Sequence, residues 1–132
     1  MQNMQEDVES IINRVEVMQF VLPEHLNHMG NMHGGEILKL MDNTAGLAFI
    51  RYAGGEAVTA GVKDVKFIAP IPFKSIIKCV AEVVEVGRTS MKTEVAVYIE
   101  EAGTMKLTKA AEGTFTGVAI DDEGKPVAVN RK

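Results

Sequence analysis

The chain predicts an α+β fold with one long helix packed on an antiparallel sheet. Three observations carry that. Only one segment, Gly35 to about Tyr52, sorts its residues at the helical period. The rest of the regular sequence alternates, or runs rich in Val and Ile, between turn residues. No second helix follows to carry the chain between parallel strands, so the strands pair largely through short turns.

The elements read in order as follows. Residues 1–10 are polar and are expected to be frayed or weakly helical. Arg14 to Leu22 reads as a strand, with Val15, Val17 and Phe20 among polar neighbours, and Pro23 ends it. Residues 24–33 form a polar loop. In the helix, Ile37, Leu40, Met41, Ala45, Leu47, Ala48 and Phe49 share one broad arc, and Glu36, Lys39 and Asn43 the other. Gly54-Gly55 stops it. Glu56 to Ala69 is a strand closed by Pro70-Ile71-Pro72, and Ser75 to Val86 is another, closed by Gly87. Ser90 to Glu101 alternates cleanly, with Thr93, Val95, Val97 and Ile99 on one side. After Ala102-Gly103, Met105 to Ile120 is the last of about five strands, followed by a polar turn and a short tail. One helix covers only part of such a sheet, so a homo-oligomer is expected to cover the rest.

With 132 residues, 46% hydrophobic and 24% charged, the chain is expected to form a single globular domain over residues 1–132. No repeat, low-complexity tract or Pro/Gly/Ser-rich linker divides it. The net charge of −4 and the absence of Trp argue against a nucleic-acid binder. No segment has the ~18 apolar residues a membrane span needs. Met1 to Asn13 is polar and acidic, unlike a signal peptide, so the expected address is the cytoplasm. A single cysteine, Cys79, excludes an internal disulfide and fits a reducing compartment. It lies mid-strand among Ile77, Val80 and Ala81, as a buried structural thiol would.

The densest chemistry lies in residues 27–35 and the helix that follows. Gly34 and Gly35 stand at the helix start, where first-turn N–H groups are unpaired and the helix dipole is positive. Such donors suit a developing oxyanion, although the same glycines also make a tight turn. Asp42 falls about 140° from Ile37, at the boundary of the apolar arc. There it is either a half-desolvated base or a solvated helix residue. Asn27 either orients a water or stabilises a turn. His25, His28 and His33 match no standard zinc spacing, and no metal site is expected. No phosphate loop, dinucleotide fingerprint or nucleophile elbow is present. Val86-Gly87-Arg88-Thr89-Ser90 is either an exposed hairpin turn or an anion site with a guanidinium and two hydroxyls.

Together these residues resemble a known family. Asn27-x-x-Gly30-x-x-His33-Gly34-Gly35, then Leu38 and Met41-Asp42, resembles the helix entry of hotdog-fold acyl-CoA thioesterases. Thr59 through Phe67 with Pro70 and Ile71 resembles the strand that follows, and Val86 to Ser90 resembles the turn near coenzyme A. The resemblance runs from about Glu16 to Ile120. It is closest to the acyl-CoA hydrolase branch of the 4-hydroxybenzoyl-CoA thioesterase-like superfamily, and the Asn27, His33 and Asp42 spacing is also similar to the phenylacetyl-CoA branch. It implies an antiparallel sheet wrapped around the helix, dimers that often assemble into tetramers or hexamers, and an active site at the dimer interface. It implies Asp42 as general base or nucleophile and Asn27, reaching it from the partner subunit, as the group that positions water or thioester. The Gly35 N–H would polarise the carbonyl, with His33 and Gly34 shaping the turn. Arg88, Thr89 and Ser90 would contact the phosphates of coenzyme A. No cofactor is implied, since coenzyme A is part of the substrate. A hydratase or dehydratase using His33, and a non-catalytic acyl-CoA-binding module, are the alternatives. The depth of the acyl tunnel is expected to depend on how Phe49, Phe67, Met41 and residues of the partner subunit close it.

Overall fold

A computed structural model of the chain describes residues 11–129. The expectation for residues 1–10 lies outside them. Five strands and one long helix form: β1 (Arg14–Phe20), α1 (Gly34–Ala53), β2 (Ala57–Phe67), β3 (Ile76–Val86), β4 (Ser90–Glu100) and β5 (Leu107–Ala119). All strand pairs are antiparallel, in the order β1-β3-β4-β5-β2. The helix lies against one face of this sheet, the arrangement that the resemblance implies.

Short turns do join β3 to β4 and β4 to β5. β2 departs from the expectation: it pairs with β5, not with its sequence neighbour β3. The connection through residues 68–75 therefore crosses from one edge of the sheet toward the other. It passes beneath the start of α1, where the Met32 N–H donates to the Ile71 carbonyl at 2.7 Å and Asn31 bridges to Pro72. Ile71 is fully buried there. This crossing segment is the floor on which the helix entry rests.

Helical spacing puts Ile37, Leu40, Met41, Thr44, Ala45, Ala48, Phe49, Tyr52 and Ala53 into the core. Gly54 ends the helix at φ 72°, and its N–H donates to the Ile50 carbonyl. Leu47, placed on the apolar arc by the sequence, is 53% exposed, because it sits just outside the edge of the buried arc. Alternation supplies the sheet's inner face: Ile77, Cys79, Ala81 and Val83 from β3, then Met91, Thr93, Val95 and Val97 from β4. Small residues on β5 let the helix approach. A Cβ on Gly117 would lie 2.5 Å from the Phe49 ring.

The edge strand β2 differs from the others. Almost its whole length is exposed, Val58, Val62 and Phe67 included. Its outer edge has no pairing strand among the described residues. An open edge with apolar side chains invites another chain.

Candidate active site

The helix entry is fixed by its side-chain cap. His33 is the N-cap residue, at φ −63° and ψ 137°, and its Nδ1 accepts the Gly35 N–H at 2.9 Å. Its backbone N–H donates to the His25 carbonyl, and its carbonyl accepts from Glu36 and Ile37. The expectation put the carbonyl-polarising N–H on Gly35; that N–H is already engaged. Among the described residues it is the Gly34 N–H that has no partner. The physical reason is the imidazole, whose acceptor nitrogen reaches the second free amide of the turn and leaves the first. His33 thus meets a backbone donor, not a carboxylate.

Asp42 lies eight residues beyond Gly34, about 12 Å along the axis. It is exposed in the single chain, on the flank of α1 beside the open edge strand β2, rather than half-desolvated. One group holds it: Thr59 at the start of β2, whose Oγ1 donates to Asp42 Oδ1 at 2.7 Å. Sequence reasoning included Thr59 only in a strand. Seventeen residues separate the two in the chain, so nothing local signals the pair.

Asn27 folds its own loop. Its Oδ1 accepts the N–H groups of Met29 and Asn31 at 2.9 and 3.1 Å, the turn role weighed above. That commits the oxygen and leaves the amide NH2 to donate elsewhere. Asn27, Asn31 and Gly34 border a hollow of about 310 Å³ whose other walls, among them Met32, Ile37, Phe67 and Pro70, are mostly apolar. The Phe67 ring stands 3.7 Å from where a Gly34 Cβ would be. Met41 and Phe49 do not line this hollow; both are fully buried core. Asn27 and Gly34 thus meet at one end of the helix, and Asp42 with Thr59 at another place along it.

Arg88 and Thr89 lie in the turn between β3 and β4, and Ser90 opens β4. Register places this turn near Thr59: Thr59 opposes Gly117, which opposes Met91, so two strand spacings, about 10 Å, separate them. The Arg88 side chain makes no hydrogen bond or ion pair among the described residues. A Cβ on Gly87 would lie 2.8 Å from Ser90 Oγ, so a side chain there would make that hydroxyl turn aside. Cys79 takes no part. It is fully buried, and burial pushes its thiol up to about 11, against a lesser pull from a Thr44 hydrogen bond. Among the described residues no group of three or more His, Cys, Asp or Glu could hold a metal. No helix there is long and apolar enough to cross a membrane.

Residues 29–120 match the family model of the thioesterase superfamily. An uncharacterized acyl-CoA thioester hydrolase of Zymomonas mobilis is 36% identical over 108 residues, 82% of this chain and 72% of that protein. An acyl-CoA hydrolase of Staphylococcus aureus, solved with butyryl coenzyme A, coenzyme A and coenzyme A disulfide, superposes with a TM-score of 0.84 at 34% identity. The match covers 88% of this chain and 71% of that one. The same enzyme has been solved with alanine in place of an Asn, an Asp and a Thr spaced 15 and 17 positions apart. Asn27, Asp42 and Thr59 repeat that spacing. A hexameric thioesterase of Yersinia pestis superposes with a TM-score of 0.80 at 26% identity, covering 86% of this chain and 92% of that one.

Proposed function

The chain belongs to the thioesterase superfamily, and on that footing we propose the division of labour by which it hydrolyses acyl-CoA to a free acid and coenzyme A. Gly34 N–H and Asn27 NH2 hold the thioester carbonyl. Asp42, oriented by Thr59, takes a proton from water as that water adds to the carbonyl carbon, or attacks the carbon itself. Negative charge collects on the carbonyl oxygen beside the positive end of α1. The C–S bond then breaks and the thiolate leaves; where Asp42 has attacked, water then hydrolyses the mixed anhydride to the free acid and restores the carboxylate. A thiolate leaves without a strong acid to protonate it, which is why so few polar groups suffice. His33 and Gly35 set the geometry of the turn. Arg88, Thr89 and Ser90 receive the phosphates of coenzyme A. The reaction consumes only water and needs no cofactor.

The observation that carries this reading is that one helix presents an unengaged N–H at its start and a threonine-held carboxylate about 12 Å along it. Both must come within about 3 Å of one reacting centre. A single chain does not span that gap, so the complete site takes Gly34 and Asn27 from one chain and Asp42 with Thr59 from another. The open edge of β2, with Val58, Val62 and Phe67 exposed on it, supports such a second copy. A homodimer is therefore the smallest working unit, with tetramer or hexamer built from it. The cytoplasm is its place of action.

The test is free-thiol release from short-chain, long-chain and aromatic acyl-CoAs, with the wild type and Asp42→Asn. Release that Asp42→Asn lowers by about 10²–10⁴-fold supports the assignment. No release from any acyl-CoA refutes the function, and release indifferent to Asp42→Asn moves the chemistry to another residue.

A further inference from the structure

The tail after β5 packs against the turn that the proposed function gives to coenzyme A. Asp121 reverses the chain: its N–H donates to the Lys125 carbonyl, and its Oδ1 accepts from the Glu123 and Lys125 amides, all at 2.9 Å. The returning segment then runs beside the end of β5, with Pro126 bridging to Ile120 and the Val127 N–H donating to the Ala119 carbonyl. Its last described residue, Val129, does two things. Its side chain packs against the core, and its N–H donates to the Arg88 carbonyl at 2.8 Å.

That bond completes a set. The Thr89 carbonyl accepts from Ala119 at 2.9 Å, and the Ser90 carbonyl accepts from Gly87 at 2.9 Å. All three carbonyls of Arg88, Thr89 and Ser90 are thus tied to protein. A trans peptide is planar, with its C=O and N–H pointing in opposite directions. Holding the Arg88 carbonyl toward Val129 turns the Thr89 N–H away from the tail. That N–H has no partner among the described residues. The Arg88 guanidinium, unpaired among the described residues, is beside it in the chain. A backbone donor next to a guanidinium is what a phosphate oxygen requires. Without the tail the 88–89 peptide would be free to rotate, and its carbonyl, which repels an anion, could face the ligand instead.

We infer that Val129 is a positioning residue for the coenzyme A phosphates, acting through the Arg88 carbonyl to aim the Thr89 N–H. The inference rests on the acyl-CoA reading of the site and adds the tail to it.

The test compares one acyl group on two carriers: coenzyme A, and N-acetylcysteamine, which keeps the thioester and lacks the phosphates. Val129→Pro deletes the N–H; Val129→Ala keeps it and trims the side chain. For Val129→Pro the expected result is a KM for the acyl-CoA about tenfold higher, as for loss of one charge-assisted hydrogen bond, with kcat little changed. Its kcat/KM on the N-acetylcysteamine ester stays at the wild-type value, and Val129→Ala resembles wild type on both. Adding Arg88→Ala to Val129→Pro costs less than the two single effects combined, because both act on one phosphate contact. Equal losses on the two carriers, or no loss on either, overturn the inference. Should Val129→Pro not fold, a chain ending at Pro126 takes its place under the same criteria. A wild type that hydrolyses neither ester refutes the acyl-CoA reading; a wild type that hydrolyses both, with Val129→Pro indifferent to the carrier, refutes only the role of the tail.

Discussion

Gly34→Pro separates folding from chemistry at one atom. Gly34 is the first helical residue, the position where proline is most at home. The residue before a proline must be extended, and His33 is, at ψ 137°. The nearest side-chain atom to a Cβ at 34 is the Phe67 ring at 3.7 Å, an ordinary contact. The N–H that proline removes has no partner among the described residues, so no hydrogen bond there is lost on folding. Restricting the unfolded chain should stabilise the fold by about 0.4–1 kcal/mol. For a chain of this size that raises Tm by about 1–4 °C. The same missing N–H removes a donor to the carbonyl oxygen, which should lower kcat by about 10²–10³-fold. Gly34→Ala, with the N–H retained and a Cβ in the same place, should keep most of the activity. Thermal melts and thiol-release kinetics on the three proteins decide. A Gly34→Pro enzyme with wild-type kcat, or a Gly34→Ala enzyme as inactive as the proline variant, would show that the Gly34 N–H is not the donor.

Thr59→Val keeps shape and removes the 2.7 Å bond to Asp42. It should lower kcat about tenfold or more and leave Tm nearly unchanged, since the pair is exposed. In an Asp42→Asn background it should add nothing, and an additive loss would show that Thr59 acts elsewhere. Gly117→Ala drives a methyl to within 2.5 Å of a fully buried Phe49 ring, about 1 Å closer than carbon atoms pack. Overpacking of that kind costs about 1–3 kcal/mol, and an unchanged urea midpoint would refute the tight fit. Cys79 has its folded pKa raised from 9.0 to about 11. The stability this burial contributes is therefore present in full below about pH 9 and lost as pH rises from about 9 to about 11. Urea midpoints across that window should fall more steeply for wild type than for Cys79→Ala; parallel slopes would remove Cys79 from the account.

Most of the fold was legible because its signals are local. The period of α1 gave its extent to within a residue at each end, and alternation on β4 gave its inward face, Thr93 through Ile99, in the correct phase. What escaped depends on contacts distant in sequence. The pairing of β2 with β5 follows from how residues 68–75 pass under the helix entry, and two prolines in that segment read equally well as a tight turn. The site divides the same way. Glycines at a helix start announce free amides, yet which amide stays free is decided by where the His33 imidazole settles. Asp42 stood out through the resemblance, its place on the helix alone fitting a solvated residue as well, whereas Thr59 and Val129 make bonds that only the folded chain displays. In one chain Asp42 is exposed, the second of the two readings that its place on the helix left open.

The roughly 12 Å between Gly34 and Asp42 on one helix has a genetic counterpart. In the two-chain site proposed above, each chain lends its helix start to one reaction centre and its carboxylate to the other. Two defective alleles, one altered at Gly34 and one at Asp42, would then rescue each other. A mixed dimer concentrates both lesions in one centre and leaves the second intact. Random pairing of equal amounts would restore about a quarter of the wild-type centres, where each allele alone has none.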